Sequence, residues 1–350
     1  MGERRLVRRL GLALSLCLTA AACGGGDAEP AASGGGKELS LPQVQMAMDN
    51  EDYMNQIGWM AAEKRYWPDL GFTESAEVVA TEDYMAGLVG GDVWVAQGES
   101  DTIWPATAEG SVDFTIVGVE KDTEAWFLGV REGVDPNDLE GLRISGGPPG
   151  DRNITVGRHI LSDRGVDPDS MKWVSVDGGS DERLQVLVAG QIDVAVLQPR
   201  HMLPLKQAGG QMIHRDYKVR PQETWIVKTD TLKQHKDAVC AYVQGRVAAK
   251  QWLSSGPDHD KNMDAALEIG REYQREPSEG EVQEWENEMT KNWSLDGGAP
   301  ADSFDKWTED MIAGGSVPDG YEWRDHVDFD CLWKAQDAFG LPKNPAPGDL

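Results

Sequence analysis

The chain has 350 residues and a net charge of −27 at neutral pH, because 60 aspartates and glutamates outnumber 33 lysines and arginines. A surface this acidic repels nucleic acid and anionic lipid head groups, which excludes a nucleic-acid function. The length exceeds that of one typical domain and suits two lobes.

Residues 1–22 have the pattern of an export signal. Arginines at positions 4, 5, 8 and 9 precede an apolar run over 10–18 that is too short for a permanent membrane span. Three alanines then lead to Cys23, which resembles a bacterial lipobox, although Ala20 stands where that motif usually has leucine. We expect Cys23 to become the lipid-modified first residue, followed by a flexible tether over 23–39. The alternative is a secreted protein in which Cys23 is incidental.

The next segment predicts alternating strands and helices. Strands are predicted over 41–47, 78–80 and 93–96, and helices over 53–66 and 84–89. Polar stretches at 49–52 and 97–102 follow the first and third strands, and we expect ligand-binding loops there. Two more strands are predicted over 112–119 and 124–130, separated by polar residues. The second of these is predicted to cross between the lobes.

Residues 138–198 have the pattern of a complete βαβ unit. An apolar run around Leu142 and Ile144 stops at a cluster of glycines and prolines, and a helix follows as far as Gly165. A strand over 171–176, a helix over 181–188 and a strand over 192–197 complete the unit, which implies a parallel sheet. Ligands bind at the carboxyl ends of such strands, here the loops 146–153, 177–180 and 198–201. The alternative for the glycine-rich stretch is an ordinary strand-to-helix turn.

Residues 88–95 and 187–194 can be aligned with each other. Both contain a helix end, a glycine stop and a strand start. Two similar lobes would produce this repetition, although unrelated βαβ units can share it by chance. Farther along, a return crossing is predicted over 223–228, and helices over 238–253, 263–273 and 281–293.

The segments DLEGLRI, DRGVDPDSMKWV and LQVLVAGQIDVAVL resemble the type 2 periplasmic solute-binding proteins of ABC importers, in the branch that binds nitrate, sulfonates, taurine and thiamine precursors. The resemblance implies an α/β fold of two lobes, each a mixed and mostly parallel sheet flanked by helices, with a ligand cleft between them. One lobe is predicted from residues 40–128 and 222–350, and the inserted lobe from residues 129–221. TWIVKTD resembles the hinge strand of that family.

Cys240 and Cys331 are the two cysteines that remain if Cys17 leaves with the signal and Cys23 is acylated. In an exported protein we expect them to form a disulfide. The alternative is two buried free thiols.

Enzyme signatures are missing from the sequence, because the six histidines lack metal-ligand spacing and no nucleophile-elbow pattern occurs. We therefore expect no catalytic residue, no metal site and no cofactor. The predicted ligand-binding residues lie in or beside the polar loops. They are Asn50, Tyr53, Gln97, Ser100, Asp101, Gly150, Asp151, Arg152, Asn153, Gln198, Arg200 and Trp225.

The charge of the ligand stays open at this point. Arg152, Asn153, Arg200 and His201 favour an anion. Carboxylates in the same set of loops favour a neutral or cationic ligand, and the thirteen tryptophans favour an aromatic or heterocyclic one.

The resemblance implies capture of a small organic solute and its delivery to a permease with a cytoplasmic ATPase. The expected protein is a monomer, held at the outer face of the cell membrane by its lipid. Two alternatives remain: a lipoprotein that senses a ligand or binds a partner, and an enzyme on the same fold.

Overall fold

The computed structural model describes residues 45–48, 53–72, 77–80, 84–110, 112–146, 152–176, 178–254 and 259–350. The predicted signal, the predicted lipid-attachment residue Cys23, the predicted tether and the loop residues Asn50, Gly150 and Asp151 lie outside these ranges. Within them, every helix is too short or too polar to cross a membrane.

Among the described residues, eight strands form one mixed sheet. They are β1 (Gln45–Met48), β2 (Glu77–Ala80), β3 (Val95–Glu99), β4 (Phe114–Val130), β5 (Arg143–Gly146), β6 (Lys172–Ser175), β7 (Val194–Leu197) and β8 (Gln211–Lys228). Their order in the sheet is β2-β1-β3-β8-β4-β7-β5-β6. β1 pairs in parallel with β2 and β3, and β5 pairs in parallel with β6 and β7. β4 and β8 are antiparallel to each other and lie between these two groups.

Twelve helices of the described residues flank the sheet. They are α1 (Tyr53–Arg65), α2 (Tyr84–Gly90), α3 (Ser100–Ala108), α4 (Arg152–Asp163), α5 (Ser180–Val188), α6 (Met202–Gln207), α7 (Thr229–Gln234), α8 (Lys236–Ser254), α9 (His259–Glu272), α10 (Glu279–Asn292), α11 (Ala301–Ala313) and α12 (Asp330–Ala338). The βαβ unit predicted over 138–198 is confirmed as β5, α4, β6, α5 and β7. The loop predicted over 97–102 is wrong, because α3 begins at Ser100, directly after β3 ends at Glu99.

β4 and β8 are 17 and 18 residues long and join the two parallel groups. The break predicted between strands over 112–119 and 124–130 is wrong, since β4 continues through it. The reason lies in two side chains of the polar stretch between the predicted strands. Lys121 forms a buried ion pair with Glu223 on β8, at 2.8 Å, and Glu120 accepts a hydrogen bond from the indole of Trp225. A polar stretch whose groups are paired can remain in a buried strand.

Separate apolar cores lie on the two groups of strands. The core around β1 and β3, which we call the first-lobe core, contains five tryptophans that are almost completely buried: Trp67, Trp104, Trp225, Trp285 and Trp323. Around β5 and β7, Val194 and Val196 pack with Ile144 on one face of the sheet, whereas Ala195 and Leu197 pack with Phe127 on the other. This alternation follows from the two-residue period of a strand. Because β4 and β8 run through both lobes without a break, the predicted lobe boundaries at 128/129 and 221/222 stay predictions.

The repeated segment has the same backbone in both lobes. α2 ends at Gly90 and is followed by Gly91 with φ 86°, and α5 ends at Val188 and is followed two residues later by Gly190 with φ 73°. Glycine adopts such positive φ values without steric cost. The next strands begin at the aligned residues Val95 and Val194.

A disulfide joins Cys240 on α8 to Cys331 on α12, with 4.6 Å between the two Cα atoms. It ties the last helix of the chain to a long helix of the first-lobe core. The sequence separation is 91 residues, and a closed loop of that length restricts the unfolded chain strongly.

Candidate functional site

A polar pocket lies where the two lobes meet. Its volume is about 20 Å³, which is far below the roughly 300 Å³ of a small ligand pocket and leaves room for about one water molecule. Its walls come from β4, β8, the turn after β7, helix α10 and the residue that follows this helix. The lining residues are Lys121, Thr123, Ala125, Gln198, Pro199, Gln222, Glu284, Asn292 and Trp293.

Lys121 is the one cation among the described residues that line this pocket. Its Nζ lies 2.8 Å from Glu223 Oε1 and 4.7 Å from the centre of the Trp293 ring. The other carboxylate oxygen of Glu223 accepts a hydrogen bond of 2.8 Å from Gln97 Nε2. The positive charge of Lys121 is therefore already balanced by a buried carboxylate, which weakens its attraction for an anionic ligand.

Behind this wall, a buried ion network continues into the first lobe. Glu120 Oε1 lies 3.0 Å from Lys250 Nζ, and Glu120 Oε2 accepts hydrogen bonds from Arg246 and from Trp225 Nε1. Burial alone would raise the pKa of Glu120, but the charges of Arg246 and Lys250 hold it below its usual range. A buried carboxylate with such partners stays ionised and fixes the geometry of the strands.

Helix α10 and the residue after it supply the opposite wall of the pocket. Glu284 and Asn292 are 4% and 3% exposed, and Trp293 follows at the helix end with 3% exposure. Within the described residues, Asn292 Oδ1 and Trp293 Nε1 have no hydrogen-bond partner. Unpaired buried polar atoms beside a pocket are able to accept and donate hydrogen bonds to a ligand.

The turn after β7 combines a pocket residue with an ion network of its own. Gln198 lines the pocket and accepts a hydrogen bond from Arg200. His201 Nε2 and Arg200 Nη2 lie 2.8 Å and 3.6 Å from the carboxylate of Asp181. The hydrogen bond from His201 and the charge of Arg200 lower the pKa of Asp181 to about 2. Arg200 and His201 are thus engaged by a carboxylate, although the sequence suggested them as anion donors.

The other predicted site residues occupy different surroundings. Gln97 and Trp225 belong to the buried network, where Trp225 is 0% exposed. Tyr53 begins α1 and its amide donates to Glu281 Oε1 at 3.2 Å. Ser100 and Asp101 form the first turn of α3, and Arg152 and Asn153 form that of α4.

Of the predicted residues that the structure describes, only Gln198 lines the pocket. Sequence reasoning missed the residues from β4, β8 and α10, which are Lys121, Thr123, Ala125, Gln222, Glu284, Asn292 and Trp293. For Lys121 and Thr123, periodicity gave no signal, because β4 is buried at nearly every position. For α10 there was none, because its place against β4 depends on long-range packing.

This arrangement is suited to holding a molecule by hydrogen bonds. Among the described residues, both cysteines are joined in the disulfide and no group of acidic, histidine or cysteine side chains is arranged to hold a metal ion. Asp181 and His201 are adjacent, but His201 Nδ1 accepts from the amide of Gln198 at 3.3 Å. That nitrogen is therefore not positioned to accept a proton from a nucleophile.

Residues 116–259, less than half of the chain, match the protein-family model described as "NMT1/THI5 like". This match confirms the resemblance found in the sequence. No curated protein sequence matches the chain.

Solved structures show the same fold. A putative periplasmic sulfonate-binding protein SsuA from Methylobacillus flagellatus KT has 14% identity and a TM-score of 0.64, covering 88% of this chain and 99% of its own. The periplasmic nitrate-binding protein NrtA from Synechocystis PCC 6803 has 13% identity and a TM-score of 0.63, covering 87% and 92%. The desulfurization enzyme DSZB has 12% identity and a TM-score of 0.62, covering 85% and 100%. The predicted two-lobed periplasmic-binding-protein fold is confirmed.

Proposed function

We propose that this chain is the lipid-anchored, extracytoplasmic substrate-binding protein of an ABC importer. It captures a small organic solute between its lobes and delivers it to a membrane permease. The observation that carries the proposal is the polar pocket at the point where β4 and β8 pass from one lobe to the other. The match to the NMT1/THI5-like family model and the likeness to sulfonate- and nitrate-binding proteins support it.

The mechanism is capture by closure. The two strands β4 and β8 connect the lobes, so small changes of their backbone angles move one lobe relative to the other. A ligand that contacts both walls of the pocket stabilises the closed arrangement to the extent that it binds the closed state more tightly than the open one. The closed protein is the form that the permease recognises.

The pocket favours a ligand that forms hydrogen bonds over one that needs a strong positive field. Lys121 is paired with Glu223, and the carboxylate of Glu284 lies in the same wall. Gln198, Gln222 and Asn292 each offer an amide, which both donates and accepts. We therefore propose a polar organic solute rather than a small inorganic anion.

An enzyme on the same fold is the second candidate, and the likeness to DSZB is the observation that favours it. The described part of this chain offers no thiol nucleophile, because Cys240 and Cys331 are bonded to each other. Product formation in the binding experiment below would establish this candidate instead. A sensor or partner-binding lipoprotein differs from the importer protein only in what the closed form contacts.

Ligand binding is tested by tryptophan fluorescence of the unit Gly36–Leu350, which is compact by itself. The panel contains sulfonates, nitrate, pyrimidines of the thiamine-precursor type, aromatic acids and amines. We expect saturable quenching by one class of solute with no product formed. The W293F variant is the control, because Trp293 lines the pocket and should carry most of the signal. A flat response to the whole panel from folded protein would contradict the proposal.

Lipid anchoring is tested separately in cells that express the full chain. We expect the wild-type protein to fractionate with membranes and to incorporate labelled fatty acid, and the C23S variant to do neither. Unchanged membrane association of C23S would remove the lipid anchor from the proposal and leave the binding role intact.

A further inference from the structure

α10 (Glu279–Asn292) is held firmly by the first lobe. Trp285 and Met289 are 1% and 4% exposed and belong to the first-lobe core. Near the start of the helix, Glu281 Oε1 accepts a hydrogen bond of 3.2 Å from the amide of Tyr53 on α1. Large buried side chains of this kind anchor a helix because their exposure to water is costly.

The same helix makes its strongest polar contacts with the other lobe. Glu288 is 1% exposed, and its two oxygens accept from Arg215 Nη1 at 3.0 Å and from the hydroxyl of Tyr217 at 2.7 Å. Both donors lie on β8 where it pairs with Phe127 and Ala125 of β4. Phe127 belongs to the core of the second lobe.

A second set of contacts lies at the start of α10. Gln207 Nε2 at the end of α6 donates to Glu279 Oε2 at 3.2 Å. Gly280 lies so close to the turn after β7 that a Cβ atom there would come within 2.3 Å of the carbonyl oxygen of Arg200. α10 therefore touches the second lobe at two places while its apolar side remains in the first.

We propose that α10 is a strap that holds the two lobes in the closed arrangement, with Glu288 as the positioning residue. When the lobes separate, Trp285 and Met289 keep the helix on the first lobe, and Arg215 and Tyr217 move away with the second. Opening therefore breaks the hydrogen bonds to a buried carboxylate, which are among the stronger ones in proteins.

The strap also sets the shape of the pocket. Glu284, Asn292 and Trp293 line it from the same helix whose position Glu288 fixes. A ligand that enters the open protein therefore meets a wall that is completed when Glu288 reaches Arg215 and Tyr217. The strap goes beyond the proposed function, because it concerns the equilibrium between open and closed lobes whatever solute is bound.

The test is the distance between the lobes in the purified unit Gly36–Leu350, which lacks Cys17 and Cys23, with no ligand added. Spin labels are placed at V89C and V188C, which are aligned positions in the two repeated segments and are each 50% exposed. Cys240 and Cys331 are joined in the disulfide and do not react with the label. If α10 holds the lobes closed, the wild-type protein with these two labels should give one narrow distribution of label-to-label distances. Pulsed electron paramagnetic resonance measures this distribution.

The E288Q variant is expected to give a second, shifted distance, with the ratio of closed to open protein falling about tenfold for the loss of a charge-assisted hydrogen-bonded group. E286Q is the matched control, because Glu286 is exposed on the same helix; its distance distribution should equal that of the wild type. A purely structural role of Glu288 would lower the melting temperature but leave the distance unchanged, and this result would overturn the proposal.

The double variant R215M/Y217F removes both donors from the second lobe and provides an independent test if E288Q does not fold. This double variant should give the same shifted distance as E288Q. A distance distribution equal to that of the wild type would overturn the proposal. Because the readout needs no ligand, failure to find a solute in the binding panel does not affect it. Conversely, a strap that fails this test leaves the solute-binding proposal standing.

Discussion

Trp94 in the first lobe and Asp193 in the second occupy aligned positions, one residue before the strands β3 and β7. Trp94 is half-buried and its ring lies 4.5 Å from that of His235. Asp193 is 6% exposed and accepts hydrogen bonds from Arg131 and from the amide and guanidinium of Arg143. The backbone is the same in both lobes, but an aromatic contact stabilises one and an ion network the other.

This difference shows which part of the segment determines its local structure. The aligned glycines, Gly91 and Gly190, both have positive φ and both precede a buried apolar residue, Val93 or Ile192. The residue at 94 or 193 is free to differ, because its partners come from elsewhere in the fold.

The largest effect is expected for Asp193→Ala. Removing the carboxylate leaves Arg131 and Arg143 without their partner and should lower the free energy of unfolding by about 3 kcal/mol, the lower end for a broken buried pair. We use the lower end of the range for broken buried ion pairs because the side chains of Arg131 and Arg143 are 33% and 40% exposed, and solvent screens their charges. Urea unfolding measures the change.

Asp169→Ala is the matched control for this variant, since Asp169 forms an exposed ion pair with Arg158 in the same lobe. Its effect should stay below about 1 kcal/mol. Equal destabilisation by the two substitutions would show that the network around Asp193 contributes no more than a surface pair.

The contribution of Asp193 should also depend on pH. Hydrogen bonds from Arg143, followed by those from Arg131, hold the pKa of Asp193 well below its usual range. A carboxyl group with a lowered folded-state pKa stabilises the fold fully above its unfolded pKa, about 3.9, and loses that stabilisation as the pH falls below it. The difference in unfolding free energy between wild type and D193N should therefore shrink between neutral pH and strongly acid solution. A difference that is constant across this range would contradict the assignment.

Gly91→Ala and Gly190→Ala are expected to lower the free energy of unfolding less than Asp193→Ala does, and by the same amount as each other. At both positions a Cβ atom would meet nothing within 4 Å, so the cost is that of the left-handed backbone alone, about 1 kcal/mol. Thermal unfolding of the two variants gives the comparison. Gly348→Ala is the control, because Gly348 has open space and no positive φ. Clearly unequal costs at 91 and 190 would show that the two segments are not equivalent.

The smallest effect is expected for His235→Ala, which removes the ring beside Trp94. The loss should be about 0.5 kcal/mol, the value of a weak aromatic contact. The free energy of unfolding in urea is again the measurement. A loss as large as that of D193A would reverse the comparison between the lobes.

Much of the second lobe could be predicted from its sequence. Apolar runs bounded by glycine marked β5 and β7, and the roughly helical spacing of Ile154, Val156, Ile160 and Leu161 marked α4. These signals are local, and the glycines that end each element act through their own backbone. The repeated segment and the disulfide between Cys240 and Cys331 were also within reach of the sequence.

The crossing strands were harder to predict. Residues 120–123 are polar and were interpreted as a break, yet Glu120 and Lys121 are 1% and 7% exposed. Their partners, Arg246, Lys250 and Glu223, lie more than 100 residues away. A single sequence does not show that a polar side chain will meet a distant group of opposite charge.

The sequence alone determined the alternation of strands and helices and the positions of the glycine turns, because these depend on residues close to one another in the chain. The two-lobed α/β class was implied by the resemblance of its segments to a known family. Only the tertiary structure decided that β4 runs unbroken between the lobes and that α10 lies across them. It also decided that the pocket is lined by Lys121, Gln198 and Asn292. These features depend on contacts between distant segments, whose energies are set by packing and charge pairing after the chain has folded.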